Sequence, residues 1–380
     1  MTVPYNLFDT TYRDCWVTVD VAQLTQNAKS LQAFAERPIL IAVKGNGYGH
    51  GYEQAAQAFE AARVRYLGVA NYSEGLLLKQ LGIKTPLLIL GGMLPEEMKL
   101  AAAAGMEFFV FRPDHIQALK EMPKTSSPIR VHIKVDTGMG RLGCFPNEVA
   151  RLGEELKKIP GVTIAGMATH FARASLPDNE HTNGQIEQFN QAASALQSIG
   201  IKPEFLHATN SSGTLYHPRA RFDMVRMGVV AYGVPPSSAV GPIVPDGVKK
   251  ALTWHARITS TRILSKGSKV SYGCEYEMTK DARVGVLPVG YVDGYHRIPK
   301  NINSVLVEGQ ERKILGRINM DQCMVDLDGF SDITGSEVVL LGKQGDKEIS
   351  VEELARRWET NTYGVYSGIA TRVPRRTSGL

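Results

Sequence analysis

The chain has 380 residues, 43% of them hydrophobic and 21% charged, with a net charge of +5. That length exceeds one small core and points to two domains. Lys and Arg are mixed with Asp and Glu without a long basic block, and no apolar run reaches the roughly 20 residues that span a bilayer, so neither nucleic-acid binding nor a membrane anchor is expected.

The opening MTVPYNLFDTTYRDCW has no basic or apolar leader character. Cys15, Cys144, Cys274 and Cys323 are scattered without metal-ligand spacing. Free thiols in a cytoplasmic protein, and no metal centre, are the expectation.

From residue 38 to 233, short apolar runs alternate with amphipathic stretches. The strand candidates are 39–43, 66–70, 86–90, 106–111, 129–135, 162–168, 204–208 and 224–233. Helical patterns lie between them: YEQAAQAFEAA, SEGLLLKQLG with Ser73 as N-cap, LPEEMKLAAAAG ending at Gly105, and QIEQFNQAASALQSIG closing at Gly200. Continuous apolar strands separated by helices argue for parallel β/α units. The expected fold is a (β/α)8 barrel, with an open doubly wound sheet as the alternative.

A barrel gathers its chemistry at the carboxyl ends of its strands. Lys44 follows the first run, and Lys134, Asp136 and Arg141 follow the fifth. His170 ends the sixth; His207, Asn210 and Ser211 end the seventh; Arg226 and Gly228 sit in the eighth. Singly, each has an ordinary explanation, such as a core histidine at His207 or a surface ion pair at Arg141. Their recurrence at one end of successive strands favours a site.

After Pro235, PPSSAVGPIVPDGV reads as a linker. Alternating apolar runs broken by Gly and Asp turns follow, typical of an antiparallel β domain. One helical segment, SVEELARRWET, has Ser350 and Glu353 placed for a capping box. The expected division is a barrel over 12–240 and a β-rich C-terminal domain over 241–380, with residues 1–20 packing against the latter.

Lys44 ends a buried strand and opens the glycine-rich KGNGYGHG. It is a candidate Schiff-base nucleophile, the alternative being a solvated loop lysine. With a histidine, arginines, tyrosines and the Ser-Ser-Gly-Thr cradle at 211–214, it suggests a phosphorylated carbonyl cofactor, pyridoxal 5′-phosphate (PLP). Ser211, Ser212 and Gly213, with Gly228 and Val229, are the candidate phosphate donors.

In order, KGNGYGHG, HIKVDTGMGRLG, THFA, NSSGT, VRMGVVAYG, VSYG, GYVDGY, NMDQCMVD and TRVPR resemble the alanine racemase family. The resemblance implies a PLP enzyme that interconverts L- and D-alanine, supplies D-alanine for peptidoglycan, and works as a head-to-tail homodimer with shared active sites. Lys44 then carries PLP and serves as base on one face of a small amino-acid substrate, and Tyr272 of the second subunit serves the other. Inversion at Cα needs both bases, since a single base returns the proton to the face it came from.

By the same resemblance His170 and Arg226 couple to that tyrosine, and Arg226 faces the pyridine nitrogen with His207 as its support. Arg141 contacts the cofactor and the substrate carboxylate, and Lys134 matches a lysine that bridges to this arginine when carbamylated. Tyr48, Ser211, Gly228, Val229 and Tyr363 hold the phosphate, with Asn210 beside them. Met320 offers its backbone N–H to the substrate, with Asp321 next to it, and Tyr291 lies at the substrate entrance. Asp293 reads as turn chemistry.

The chain departs from the family's usual strings at KGNGYGHG in place of KADAYGHG, at Tyr363-Gly364-Val365 in place of YEV, and at Arg173 and Ser175, where the family often has an acidic residue. These changes bear on substrate range. Racemases of serine, lysine or broad specificity are the near alternatives. A PLP-dependent decarboxylase of the same architecture, or a PLP carrier protein, is a more distant one.

Overall fold

The computed structural model describes residues 13–123, 127–236, 241, 243–298 and 302–379, so the first dozen residues of the segment 1–20 lie outside the described residues. The chain divides into two compact units. One is built from residues 13–21, 48–54 and 251–379, the other from 22–47 and 55–250.

The first strand, β1 (Cys15–Asp20), belongs to the former unit. The second unit carries β2 (Ile39–Ala42), β3 (Tyr66–Val69), β4 (Leu87–Ile89), β5 (Glu107–Val110), β6 (Ile129–Lys134), β7 (Val162–Ala168), β8 (Phe205–His207) and β9 (Val225–Met227). These eight strands form one parallel sheet in the order β8-β7-β6-β5-β4-β3-β2-β9. The seam between β8 and β9 is bridged by the Asp223 and Met224 amides, which donate to the Leu206 carbonyl at 3.1 and 3.3 Å. The Asp223 carboxylate accepts from the Leu206 amide at 2.8 Å. The sheet therefore closes into a barrel, and the open doubly wound alternative is overturned.

The strands are apolar on both faces because the barrel is filled inside and covered by helices outside. Leu40, Tyr66, Leu88, Phe109, Ala168, Phe205 and Met224 pack as one interior cluster. Two expectations shift in detail. The helix Tyr72–Gln80 is capped by Asn71, whose side chain accepts from the Glu74 amide, and Ser73 lies inside its first turn. The eighth run, expected over 224–233, stops at Met227 because the Gly228 amide turns to the Ser211 hydroxyl at 2.9 Å. Val229–Tyr232 then forms a 3₁₀ turn ended by Gly233 in the left-handed region.

The other unit is a mostly antiparallel sheet. In it β1 lies between Leu252–Arg257, antiparallel, and Arg375–Ser378, parallel. Trp254 and Tyr366 are fully buried there. Ser350 caps Val351–Arg357 by accepting from the Glu353 amide at 3.1 Å, while the Glu353 carboxylate pairs with Arg357. Asp293 is more than a turn residue. It is fully buried, its Oδ1 pairs with Arg13 and Arg372 at 2.6 Å each, and its Oδ2 accepts from the Gly290 amide.

The Asn71 cap satisfies an amide that has no partner inside its helix. Asn71→Ala should lower the unfolding free energy by about 1 kcal/mol. A urea titration reads this as a lower midpoint with an unchanged slope.

Candidate active site

Val43 completes β2 by donating to the Gly68 carbonyl at 2.8 Å, which delivers Lys44 to the rim of the barrel. The backbone then enters a left-handed turn: φ is 61° at Gly45, 56° at Asn46, 60° at Gly47 and 49° at Tyr48. That conformation costs an ordinary L-residue roughly 1–2 kcal/mol, whereas Gly takes it freely and Asn tolerates it. The residue choice at 45–47 thus answers a backbone demand. Glu74 ties the turn down, accepting from the Gly45 amide at 3.0 Å and from the Ala70 amide at 2.7 Å. Burial and the nearby Arg141 push the Lys44 ammonium below its ordinary pKa, with Glu74 opposing them. A neutral, nucleophilic amine is favoured.

After β6, Asp136 organises the loop that presents Arg141. Its Oδ1 accepts from the amides of Gly138, Met139 and Gly140, and its Oδ2 from that of Arg141, at 2.9–3.1 Å. Burial alone raises the Asp136 pKa, but these backbone donors hold it below the ordinary value. Lys134, the last residue of β6, is buried with its Nζ 5.4 Å from the Phe109 ring centroid. Burial, Arg226 and Arg141 depress it well below the usual lysine range.

Arg226 sits buried in β9. Its Nη1 donates to the His207 carbonyl at 2.7 Å and lies 3.0 Å from His207 Nδ1. Its Nη2 donates to the carbonyls of Thr169 and Ala208 at 2.6 and 3.0 Å and lies 3.3 Å from His170 Nδ1. Burial pushes the guanidinium down to about 9. A guanidinium only donates, so each imidazole must accept through Nδ1 and carry its proton on Nε2. Burial and then Arg226 hold both His170 and His207 well below the usual histidine range, which keeps them neutral. Asn210 Nδ2 lies 3.5 Å from His170 Nε2, a contact between two donors; its hydrogen bond goes to the Phe171 carbonyl at 3.2 Å. Asn210 Oδ1 caps the turn that starts at Ser211 by accepting from the Gly213 amide. Because Ser211 Oγ accepts from the Gly228 amide, the hydroxyl proton is left to donate, and Val229 begins the next turn.

In the other unit, the strings around Tyr272, Met320 and Tyr291 come together. Ser271 Oγ donates to the Arg317 carbonyl at 2.6 Å and lies 2.8 Å from Asn319 Oδ1. The Tyr291 amide donates to the Asn319 carbonyl and the Val292 amide to that of Met320. The side chains of this cluster are open: Tyr272 is 68% exposed, Met320 53% and Tyr291 40%. Asp321 beside them pairs with Arg372 at 2.5 Å. Tyr48 and Tyr363 belong to the same unit, and both phenols are pushed up by burial, Tyr48 to about 12 with Tyr363 adding to the effect.

Residues 19–236 match the model of the alanine racemase N-terminal domain, and 251–377 that of the alanine racemase C-terminal domain. The chain belongs to the alanine racemase family. It is 40% identical to the alanine racemase of Symbiobacterium thermophilum over 96% of this chain and 97% of that one. It is 37% identical to that of Geobacillus stearothermophilus, over 96% and 93% of the two chains. The crystal structure of the Bacillus anthracis alanine racemase with bound L-Ala-P superposes with a TM-score of 0.90 at 33% identity, covering 97% of this chain and 96% of that one.

The family implies PLP, and the chemistry within the barrel unit fits that cofactor: a depressed lysine on the rim, a buried guanidinium and a serine hydroxyl left to donate. Glu74 escaped the sequence reading because it lies inside a helix. Its one signal is an acidic residue in the helix's first turn.

Two substitutions separate the backbone from the charge. A Cβ on Gly45 meets nothing within 4 Å, so Gly45→Ala carries only the conformational cost of φ +61°. About 1 kcal/mol of stability should be lost in urea unfolding, with Lys44 still modifiable by PLP and borohydride. For Asp136 the folded pKa is depressed. Its contribution is therefore complete above the unfolded value near ~3.9 and lost as pH falls through the lower folded value. Asp136→Asn should flatten that acid limb of the stability–pH curve.

Proposed function

We propose that this chain racemises alanine with PLP held on Lys44, and that Arg226 is the observation that carries the reading. Bound PLP supplies the carbonyl that takes up the amino acid and the ring that disperses the charge left at Cα. The four Nη protons of Arg226 are taken by carbonyls and imidazoles, which leaves Nε–H to donate to the pyridine nitrogen. A donor at that position leaves the ring nitrogen unprotonated. The ring is then a restrained electron sink, which suits return of the proton to Cα better than decarboxylation or transamination.

The remaining roles are assigned on the same reading. Lys44 moves the proton at Cα on one face. Tyr272 of a second chain works the opposite face, its oxygen receiving a hydrogen bond from His170 Nε2–H. That bond stabilises the phenolate and makes the tyrosine a competent base. Arg141, oriented by Asp136, and the Met320 amide hold the substrate carboxylate. Ser211, Val229, Tyr48 and Tyr363 donate to the phosphate, while Gly228 and Asn210 hold that segment in shape. The depressed Lys134 amine adds to carbon dioxide with loss of a proton, which places an anion beside Arg141. Tyr291 flanks the substrate entrance, and Asp321 with Arg372 braces Met320.

The barrel and the β-rich part act as the two domains of a head-to-tail homodimer in the cytoplasm, supplying D-alanine for peptidoglycan. Support for the dimer comes from the exposure of Tyr272, Met320 and Tyr291. Among the described residues no helix is long and apolar enough to cross a membrane.

Shared sites make a quantitative test. Lys44→Ala should abolish the visible absorbance of lysine-bound PLP, and Tyr272→Ala should keep it; both should be inactive. Unfolding and refolding the two variants together at equal concentration should restore roughly a quarter of wild-type activity, since half the dimers are hybrids and each has one intact site. No recovery sinks the shared-site assignment. A panel of single-enantiomer amino acids, followed by optical rotation and keto-acid release, should single out alanine; carbon dioxide release from any of them contradicts a racemase.

A further inference from the structure

Below Arg226 the barrel interior holds polar side chains that the reaction as read above does not use. His207 Nε2 lies 2.9 Å from His132 Nδ1, and His132 Nε2 lies 2.9 Å from Glu107 Oε2. Both rings are fully buried and Glu107 nearly so. Since Arg226 donates to His207 Nδ1, the His207 proton is on Nε2 and points at His132 Nδ1. That nitrogen must accept, so the His132 proton is on its own Nε2 and points at the Glu107 carboxylate. Only this arrangement satisfies all three contacts: guanidinium to imidazole to imidazole to carboxylate, each link donating in the same direction.

We propose that Glu107, His132 and His207 are positioning residues, a one-way hydrogen-bond chain inside the barrel that fixes the orientation of Arg226 toward the cofactor, resting on the reading that Arg226 faces the pyridine nitrogen. The backbone is shaped to admit this chain. The β6–β7 register shifts between Val131 and His132, and His132 then pairs with Gly166. A Cβ on Gly166 would lie 2.1 Å from His132 Nδ1, so only glycine leaves room for the ring.

Glu107 is anchored in turn. Its Oε1 accepts from Arg130 Nε at 2.8 Å and from the Tyr66 hydroxyl at 3.1 Å. Arg130 and Arg65 both donate to Glu204 at the lower rim, at 2.7 and 2.9 Å. Burial alone raises the Glu107 pKa, but His132 and Arg130 outweigh it and keep the group a carboxylate. Burial and the two arginines outweigh Glu107 at His132 and lower its pKa, so the ring stays neutral. Arg226 has no carboxylate of its own among the described residues; its five protein partners are three carbonyls and two neutral rings. Glu107 is the nearest anion connected to it by hydrogen bonds. With that terminus in place, the His207 tautomer that Arg226 requires is held from both ends of the chain.

The test begins with the wild-type protein stripped of PLP and labelled with ¹⁵N-histidine. His132 and His207 should both read as neutral Nε2–H tautomers between about pH 6 and 8. An imidazolium or an Nδ1–H tautomer at either ring overturns the chain, whether or not any variant folds. In the holoenzyme, Glu107→Gln, His132→Asn and Gly166→Ala should shift the visible band of bound PLP. They should lower kcat for alanine roughly tenfold with KM changed little, and raise the share of turnovers that end in keto acid. Folded variants that keep the wild-type spectrum, kcat and keto-acid share reduce these residues to core packing and overturn the proposal. Arg226→Gln is the reference. If it too leaves the PLP spectrum unchanged, the placement of Arg226 at the ring nitrogen has failed, a different result from failure of the chain beneath it.

Discussion

A buried guanidinium that has no carboxylate beside it among the described residues shapes the electrostatics of the barrel. Taking such a charge out of water is costly, and the structure offsets that cost with neutral acceptors: three carbonyls at the ends of β7 and β8 and two imidazoles. The uncompensated field then acts on its neighbours. Burial comes first in depressing His170, His207 and Lys134, and the Arg226 field adds to it; at Lys134 and Lys44 Arg141 adds to burial as well. One buried charge thus reinforces the effect of burial on a set of nitrogen bases without a separate partner for each.

That economy explains why the acidic groups near the site serve the backbone. Asp136 satisfies four amides of a loop, and Glu74 satisfies two where the chain leaves β2 and β3. Had either carboxylate paired with Lys44 or Arg226, it would have raised the lysine toward its charged form or cancelled the field that keeps the histidines neutral. Geometry at this rim is delegated to anions on amides, and chemistry to neutral bases near cations.

The barrel strands were legible because each is a short apolar run, and the rim residues because the runs end abruptly on a polar side chain. Lys44 and His170 carry that mark, while Arg226 stands out as a charge inside the eighth run. What stayed hidden has no such edge. Glu107 and His132 lie inside β5 and β6, where alternation hides a polar residue among apolar ones, and the role of Gly166 depends on a ring from the neighbouring strand. The glycines after Lys44 were visible, but their service to a left-handed turn was not, since glycine accepts many conformations. Asn71 rather than Ser73 caps its helix because a cap belongs just outside the first turn, and both residue types suit the position.

The exposure of Tyr272 completes the logic. Its phenol stands on a 3₁₀ turn braced through Ser271 and Asn319, yet the side chain itself is mostly in water. On the proposed reading, Tyr272 of a lone chain is positioned but open to solvent, and a second chain brings the donor that His170 provides while covering the open faces of Met320 and Tyr291. In the proposed dimer, assembly performs two tasks at once: it covers these exposed side chains and brings the second base to the substrate. Coupling those tasks would confine proton abstraction to the assembled enzyme, where both faces of the substrate are attended.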